Sequence, residues 1–172
     1  MYKDELTDLI IKGLKTLVPS IAKEYGDEDI YALSLEAYEG SSFTLYVNTE
    51  ENHARRVAEA AKETRSEPDP WYFRFSEYEW YIISDPEALD EAVDFINNGY
   101  ATFDETAVYE CIADAVAKLR EEKFFETVFP HNIFFSINAV ECFDQEDLIN
   151  LIVKMNGEET SKDYIENIDS FY

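Results

Sequence analysis

Ile30-Tyr31-Ala32-Leu33-Ser34-Leu35-Glu36-Ala37-Tyr38, followed after a short gap by Phe43-Thr44-Leu45-Tyr46-Val47, is the stretch on which the fold turns. Tyr31, Leu33, Leu35 and Ala37 alternate with their neighbours, and Phe43, Leu45 and Val47 resume the alternation. A period of two marks a strand with one face in a core. Glu39-Gly40-Ser41-Ser42 between the two runs predicts an antiparallel hairpin.

On its N-terminal side, Leu6, Leu9, Ile10, Leu14, Leu17, Val18 and Ile21 recur at three- and four-residue steps, the spacing of an amphipathic helix whose last turn Pro19 disturbs. Gly26-Asp27-Glu28-Asp29 punctuates the chain before the hairpin. On the C-terminal side, Asn48 or Thr49 caps a helix running to about Arg65, expected to bury Ala54, Val57, Ala58 and Ala61 against the sheet. A loop over 66–70 carries two prolines, after which 71–75 and 80–83 read as further strands joined around Glu77-Tyr78-Glu79. Asp85-Pro86 opens a helix that places Leu89, Ala92, Val93 and Ile96 on one face, and Asn97-Asn98-Gly99 stops it. A longer helix spans about 104–125, 133–138 is a strand, and 144–156 is a helix ended by Gly157. The tail from Ser161 sets Tyr164, Ile165, Ile168 and Phe171 on one side of a last helix. No repeat or linker divides the chain. The expectation is one α+β domain over 1–172, with a mainly antiparallel sheet of four to five strands packed with helices and a C-terminal helical extension over 158–172.

Charge bounds the function. Asp and Glu number 38 against 14 Lys and Arg, a net of −24, while 46% of the residues are hydrophobic and 15% aromatic. Such a chain has the material for a core and is no acidic disordered tail. Its surface repels nucleic acid and anionic membranes and attracts basic proteins. High-salt adaptation or plain solubility is the alternative source of the acidity. No run reaches the roughly 18 apolar residues that span a bilayer, and no basic segment leads into an apolar one at the N-terminus, so a cytoplasmic protein is expected. Cys111 and Cys142 stand in no paired motif and read as reduced thiols, Cys111 on the apolar helix face of Val108, Ile112, Ala115 and Val116.

Chemistry is harder to find. Glu77 and Glu79 beside Trp80 are the carboxylate pair worth naming, and a solvated loop is their expected setting. His53 and His131 lack partners at ligand spacing, and the acidic turn at 26–29 lacks the spacing of a calcium loop. No nucleophile elbow or phosphate loop occurs. The expectation is a protein without catalytic residues, cofactor or metal. Binding signals are stronger. Glu87, Asp90, Glu91 and Asp94 share a helix face, with neighbouring Cβ atoms about 5–6 Å apart. Tyr78 and Trp80 lie at its margin in sequence, and together these six residues form the expected contact surface for a basic partner.

Ile30-Tyr31-Ala32-Leu33-Ser34-Leu35, Val47-Asn48-Thr49-Glu50-Glu51, Trp71-Tyr72-Phe73-Arg74-Phe75, Glu79-Trp80-Tyr81 and Glu122-Lys123-Phe124-Phe125 occur in an order that resembles an uncharacterised bacterial domain-of-unknown-function family. Phe75 stands where that pattern has tryptophan, and the ending after Asn156 departs from it. Members of that family resemble toxin-immunity proteins, some of them Smi1/Knr4-like. The resemblance implies a small cytosolic protein that neutralises a basic toxin by binding it. A DNA mimic that occupies a nucleic-acid-binding protein is the rival, and an enzyme using Glu77, Glu79 or a histidine the third reading.

Overall fold

A computed structural model describes residues 2–38, 42–63, 67–98, 104–139 and 142–171. The hairpin forms as its alternation requires: β1 (Ile30–Tyr38) and β2 (Ser42–Thr49) pair antiparallel, with Leu33 opposite Val47, Leu35 opposite Leu45 and Ala37 opposite Phe43. β3 (Tyr81–Ser84) adds antiparallel to β2, and β4 (Phe134–Ile137) adds parallel to β1, giving the order β3-β2-β1-β4. The sheet is mixed, with two of its three pairings antiparallel. Residues 39–41, where the sequence places the hairpin turn, lie outside the described residues, as do Arg65, Ser66 and Gly99.

Two faces follow from the register. Leu33, Leu35, Ala37, Phe43, Leu45, Val47, Phe135 and Ile137 make one face, all buried. Helix α1 (Tyr2–Glu24) buries Leu6, Ile10, Leu14, Leu17, Val18 and Ile21 and continues past Pro19, whose ring lies on the solvent side. The second helix, α2 (Glu50–Glu63), starts from Thr49, whose hydroxyl accepts the Asn52 N–H at 3.0 Å. Glu51 does not complete a capping box and instead accepts the Asp29 N–H at 2.9 Å. Ala54, Ala58 and Ala61 are exposed and Val57 is half-buried, against the expected apolar face. What α2 buries is Asn52, whose amide donates to the Asn48 side chain and to the Glu79 carbonyl. Hydrogen-bond demand from the strand end, not methyl burial, sets the rotation of this helix.

Residues 70–75 are helical, which corrects the strand expected there. In α3 (Pro70–Phe75) Asp69 caps the Trp71 N–H at 2.9 Å and proline takes the first helical position. Trp71 and Phe75 stack at 5.9 Å as an i, i+4 pair, so the aromatic alternation was a helical repeat seen through a short window. A 3₁₀ turn, Glu77–Glu79, leads to β3, and Asp85 at φ 46 turns the chain into a second 3₁₀ turn, Glu87–Leu89, before α4 (Asp90–Asn98). Helix α5 (Glu105–Glu121) is capped by Asp104 and stops at Lys123, whose φ of 57 separates it from α6 (Phe124–Val128). Helices α7 (Gln145–Asn156) and α8 (Glu158–Glu166), followed by a 3₁₀ turn at Ile168–Ser170, complete the chain. Helix α5 packs against α1, α7 and β1.

Gly13 marks the closest approach of α1 to the 3₁₀ turn before α4. A Cβ there would sit 2.4 Å from Leu89 Cδ2 and 2.7 Å from the Ala88 carbonyl oxygen. Helix propensity alone makes Gly13→Ala stabilising by about 1 kcal/mol, whereas overpacking against backbone costs about 1–3 kcal/mol. With a carbonyl oxygen in the way, the net expectation is a lower urea midpoint for Gly13→Ala; a raised midpoint would contradict this packing.

Candidate functional site

The second face of the sheet is polar. Period two places Ser34 and Glu36 of β1, Thr44, Tyr46 and Asn48 of β2, and Ser136 of β4 on one side. Glu77, from the 3₁₀ turn between α3 and β3, reaches onto this face and is 8% exposed. Ser34 and Ser136, paired across β1 and β4, donate their hydroxyls to its Oε1 at 3.1 and 2.8 Å. Beside it, Glu36 accepts from the Tyr46 hydroxyl at 2.5 Å and from the Asn138 amide at 3.2 Å. Tyr109 of α5 joins the ends of β1 and β4: its hydroxyl accepts the Ala37 N–H at 3.2 Å and donates to the Asn138 carbonyl at 2.6 Å.

Burial pushes the Glu77 carboxyl from the ordinary 4.5 up to about 7; hydrogen bonds from Ser136, its own backbone N–H and Ser34 oppose the rise, and the charge of Glu36 adds to it. The expected solvated pair is therefore corrected. Glu77 is interior, and Glu79 turns elsewhere, accepting from the Arg56 Nε at 2.8 Å. Burial also raises the phenols of Tyr31, Tyr46 and Tyr109. Each is therefore a neutral hydrogen-bonding group at neutral pH.

The six residues expected at a contact surface fall into two groups. Glu87, Asp90, Glu91 and Asp94 are all exposed, Glu87 on the 3₁₀ turn and the others on α4. Lys12 of α1 binds both carboxylate oxygens of Glu91, at 2.6 and 2.7 Å. Among the described residues the carboxylates of Asp85, Glu87, Asp90 and Asp94 meet no lysine or arginine. Asp90 also lines a cavity of about 70 Å³ with Ser42, Phe43, Asp85, Pro86, Leu89 and Val93. Tyr78 is 76% exposed. Trp80 is 5% exposed and belongs to the core, so it is withdrawn from the contact surface.

A signal that spacing rules passed over lies in this region. Residues 75–117 contain no lysine or arginine and eleven carboxylates: Glu77, Glu79, Asp85, Glu87, Asp90, Glu91, Asp94, Asp104, Glu105, Glu110 and Asp114. Counting bases along the chain, in place of acids on one helix, finds it. The histidines lie apart from this surface: His53 Nε2 is 3.0 Å from the Pro70 carbonyl oxygen, and His131 Nε2 is 2.7 Å from that of Ile30 and 3.4 Å from Asp29 Oδ1. Among the described residues no group of three His, Cys, Asp or Glu side chains is placed to hold a metal ion. Cys111 is buried, and the half-buried Cys142 donates its thiol to Glu105 at 3.2 Å. Among the described residues no helix is long and apolar enough to cross a membrane.

Glu77 sets a pH dependence of known sign. As pH rises from 4.5 to about 7 an unfolded Glu77 loses its proton while the folded one keeps it, so the fold loses stability across that interval and levels off above it. Glu77→Gln preserves the acceptor without the ionisation. Urea unfolding from pH 5 to 8 should show the variant gaining on the wild type by roughly 2–4 kcal/mol as pH rises; parallel curves would rule out a carboxyl held neutral by burial.

No curated protein and no solved structure matches the chain. A model described as a domain of unknown function, DUF4303, matches residues 6–157, which include all four strands and the whole of the base-free run, and the chain belongs to that family.

Proposed function

We propose that this protein is a non-catalytic acidic binder that docks a basic protein on the surface formed by residues 78–94. The carrying observation is the base-free run 75–117, within which Asp85, Glu87, Asp90 and Asp94 are exposed and unpaired among the described residues. A charge row of this kind destabilises itself and contributes nothing to the helix that carries it beyond the first turn. Its energy is recovered when a cationic surface arrives. Complementary fields raise association rates by about ten to a thousand times, and exposed Tyr78 and Ile82 supply apolar contact area beside the carboxylates along the chain. In its finer form, taken from the resemblance to immunity proteins of the Smi1/Knr4-like kind, the partner is a basic bacterial toxin and this chain its cytoplasmic antidote.

Capture from the native cell at low and high salt, followed by binding kinetics on the protein recovered, tests this reading. One basic protein released by salt is the expected recovery. The triple change Glu87→Lys, Asp90→Lys, Asp94→Lys should slow its association about tenfold or more and flatten the salt dependence, with a smaller effect on dissociation. Unaltered association would overturn the assignment of this surface. Recovery of many DNA-binding proteins displaced by DNA would replace it with mimicry.

A further inference from the structure

The two edges of the sheet end in different ways. At the β4 edge the Asn156 side chain accepts the Phe135 N–H at 2.8 Å and donates to the Phe135 carbonyl at 2.7 Å, occupying the two main-chain groups a further strand would use. Arg120 locks that carboxamide in place with a bond of 2.8 Å to its oxygen and another of 2.6 Å to the Ile133 carbonyl.

The β3 edge carries no such clamp among the described residues. The Asp85 N–H donates to the Phe43 carbonyl at 3.0 Å, so Phe43, Leu45 and Val47 direct their main-chain groups toward β3. Their partners Ile83 and Tyr81 face back toward β2. Ile82 and Ser84, in between, therefore aim N–H and C=O away from the sheet. Among the described residues no main-chain group outside the strands bonds to either, and β2 is the element against which β3 packs extensively. The Ile82 side chain is 58% exposed. Natural sheets blunt an open edge with short strands, charged side chains, proline or a covering element, and β3 is short at four residues. Here the edge runs directly into Asp85, Glu87 and Asp90.

We infer that the β3 edge is a strand-addition site for an extended, lysine- or arginine-bearing segment of a partner protein, which pairs with the main chain of Ile82 and Ser84 while its basic side chains meet Asp85, Glu87 and Asp90. This rests on the proposed docking of a basic protein and supplies its binding mode: main-chain pairing gives affinity and charge gives selectivity. Charge complementarity selects the occupant. A second copy of this chain, paired edge to edge, would set two uncompensated carboxylate rows beside each other in a complex of two molecules each at −24, and repulsion opposes it.

The test uses the full chain and a blocked peptide of alternating lysine and valine at low salt. The peptide should bind, slow amide exchange at Ile82 and Ser84 selectively, and lose affinity about tenfold in Ile82→Pro, which lacks the outward N–H but keeps the bonds of Tyr81 and Ile83 to β2. A second measurement is independent of any protein variant: N-methylating one alternate set of peptide residues should abolish binding and methylating the other should not. If the triple lysine variant loses the peptide while Ile82→Pro and both methylated peptides bind normally, the anionic surface stands and the edge site falls. Absence of peptide binding to the wild type overturns both, and a dimer of the chain alone with Ile82 and Ser84 protected would assign the edge to a second copy.

Discussion

With 38 carboxylates against 14 bases, the contacts of α1 and α5 with their neighbouring helices are bridged by lysines. Lys12 reaches Glu91 of α4, Lys118 of α5 reaches Asp8 of α1, and Lys154 of α7 reaches Asp114 of α5. Lys3 meets Glu110 and Lys15 meets Glu122 in the same layer. Each pair is exposed and worth at most about 1 kcal/mol. Their importance lies in where they leave charge: bases gathered at helix–helix seams do not reach the surface formed by Asp85, Glu87, Asp90 and Asp94. Balancing the helical layer and leaving that surface anionic are one act.

The polar face of the sheet obeys a different constraint. A carboxyl inside a fold must be paired, hydrogen-bonded or neutral. Glu77 has the serine pair Ser34 and Ser136 and stays partly neutral, while Glu36 takes Tyr46 and Asn138. These contacts tie the segment between α3 and β3 to β1 and β4, so the loop ahead of the open edge is anchored through its side chains. Asn156 does the corresponding work at the other edge.

Local chemistry made much of this readable. The alternation of Tyr31 to Ala37 and Phe43 to Val47 specified the hairpin, and Asp144 with Gly157 bounded α7 as cap and stop. Where reading failed, the competing interaction can be named. Asp69-Pro70 is a helix start, yet the aromatic run behind it masked the signal, whereas Asp85-Pro86, read as one, leads with a positive φ at Asp85 into a 3₁₀ turn and α4 begins only at Asp90. In α2 the alanines face solvent because Asn52 must reach Asn48 and Glu79. Glu77 looked like one of many acids in a loop, and nothing next to it in sequence announces Ser34 and Ser136, which lie 43 and 59 residues away.

What the sequence by itself determined is what depends on neighbours within a turn or a strand: the hairpin, the apolar face of α1 and the bounds of α7, the exposure of Glu87, Asp90, Glu91 and Asp94, and the surplus of negative charge. The parallel placement of β4, the interior position of Glu77, the loss of Trp80 to the core and the contrast between a sealed and an open sheet edge were decided only by tertiary structure. Each of these depends on a hydrogen bond or a packing contact between residues distant in the chain, and local periodicity carries no information about which distant group will answer.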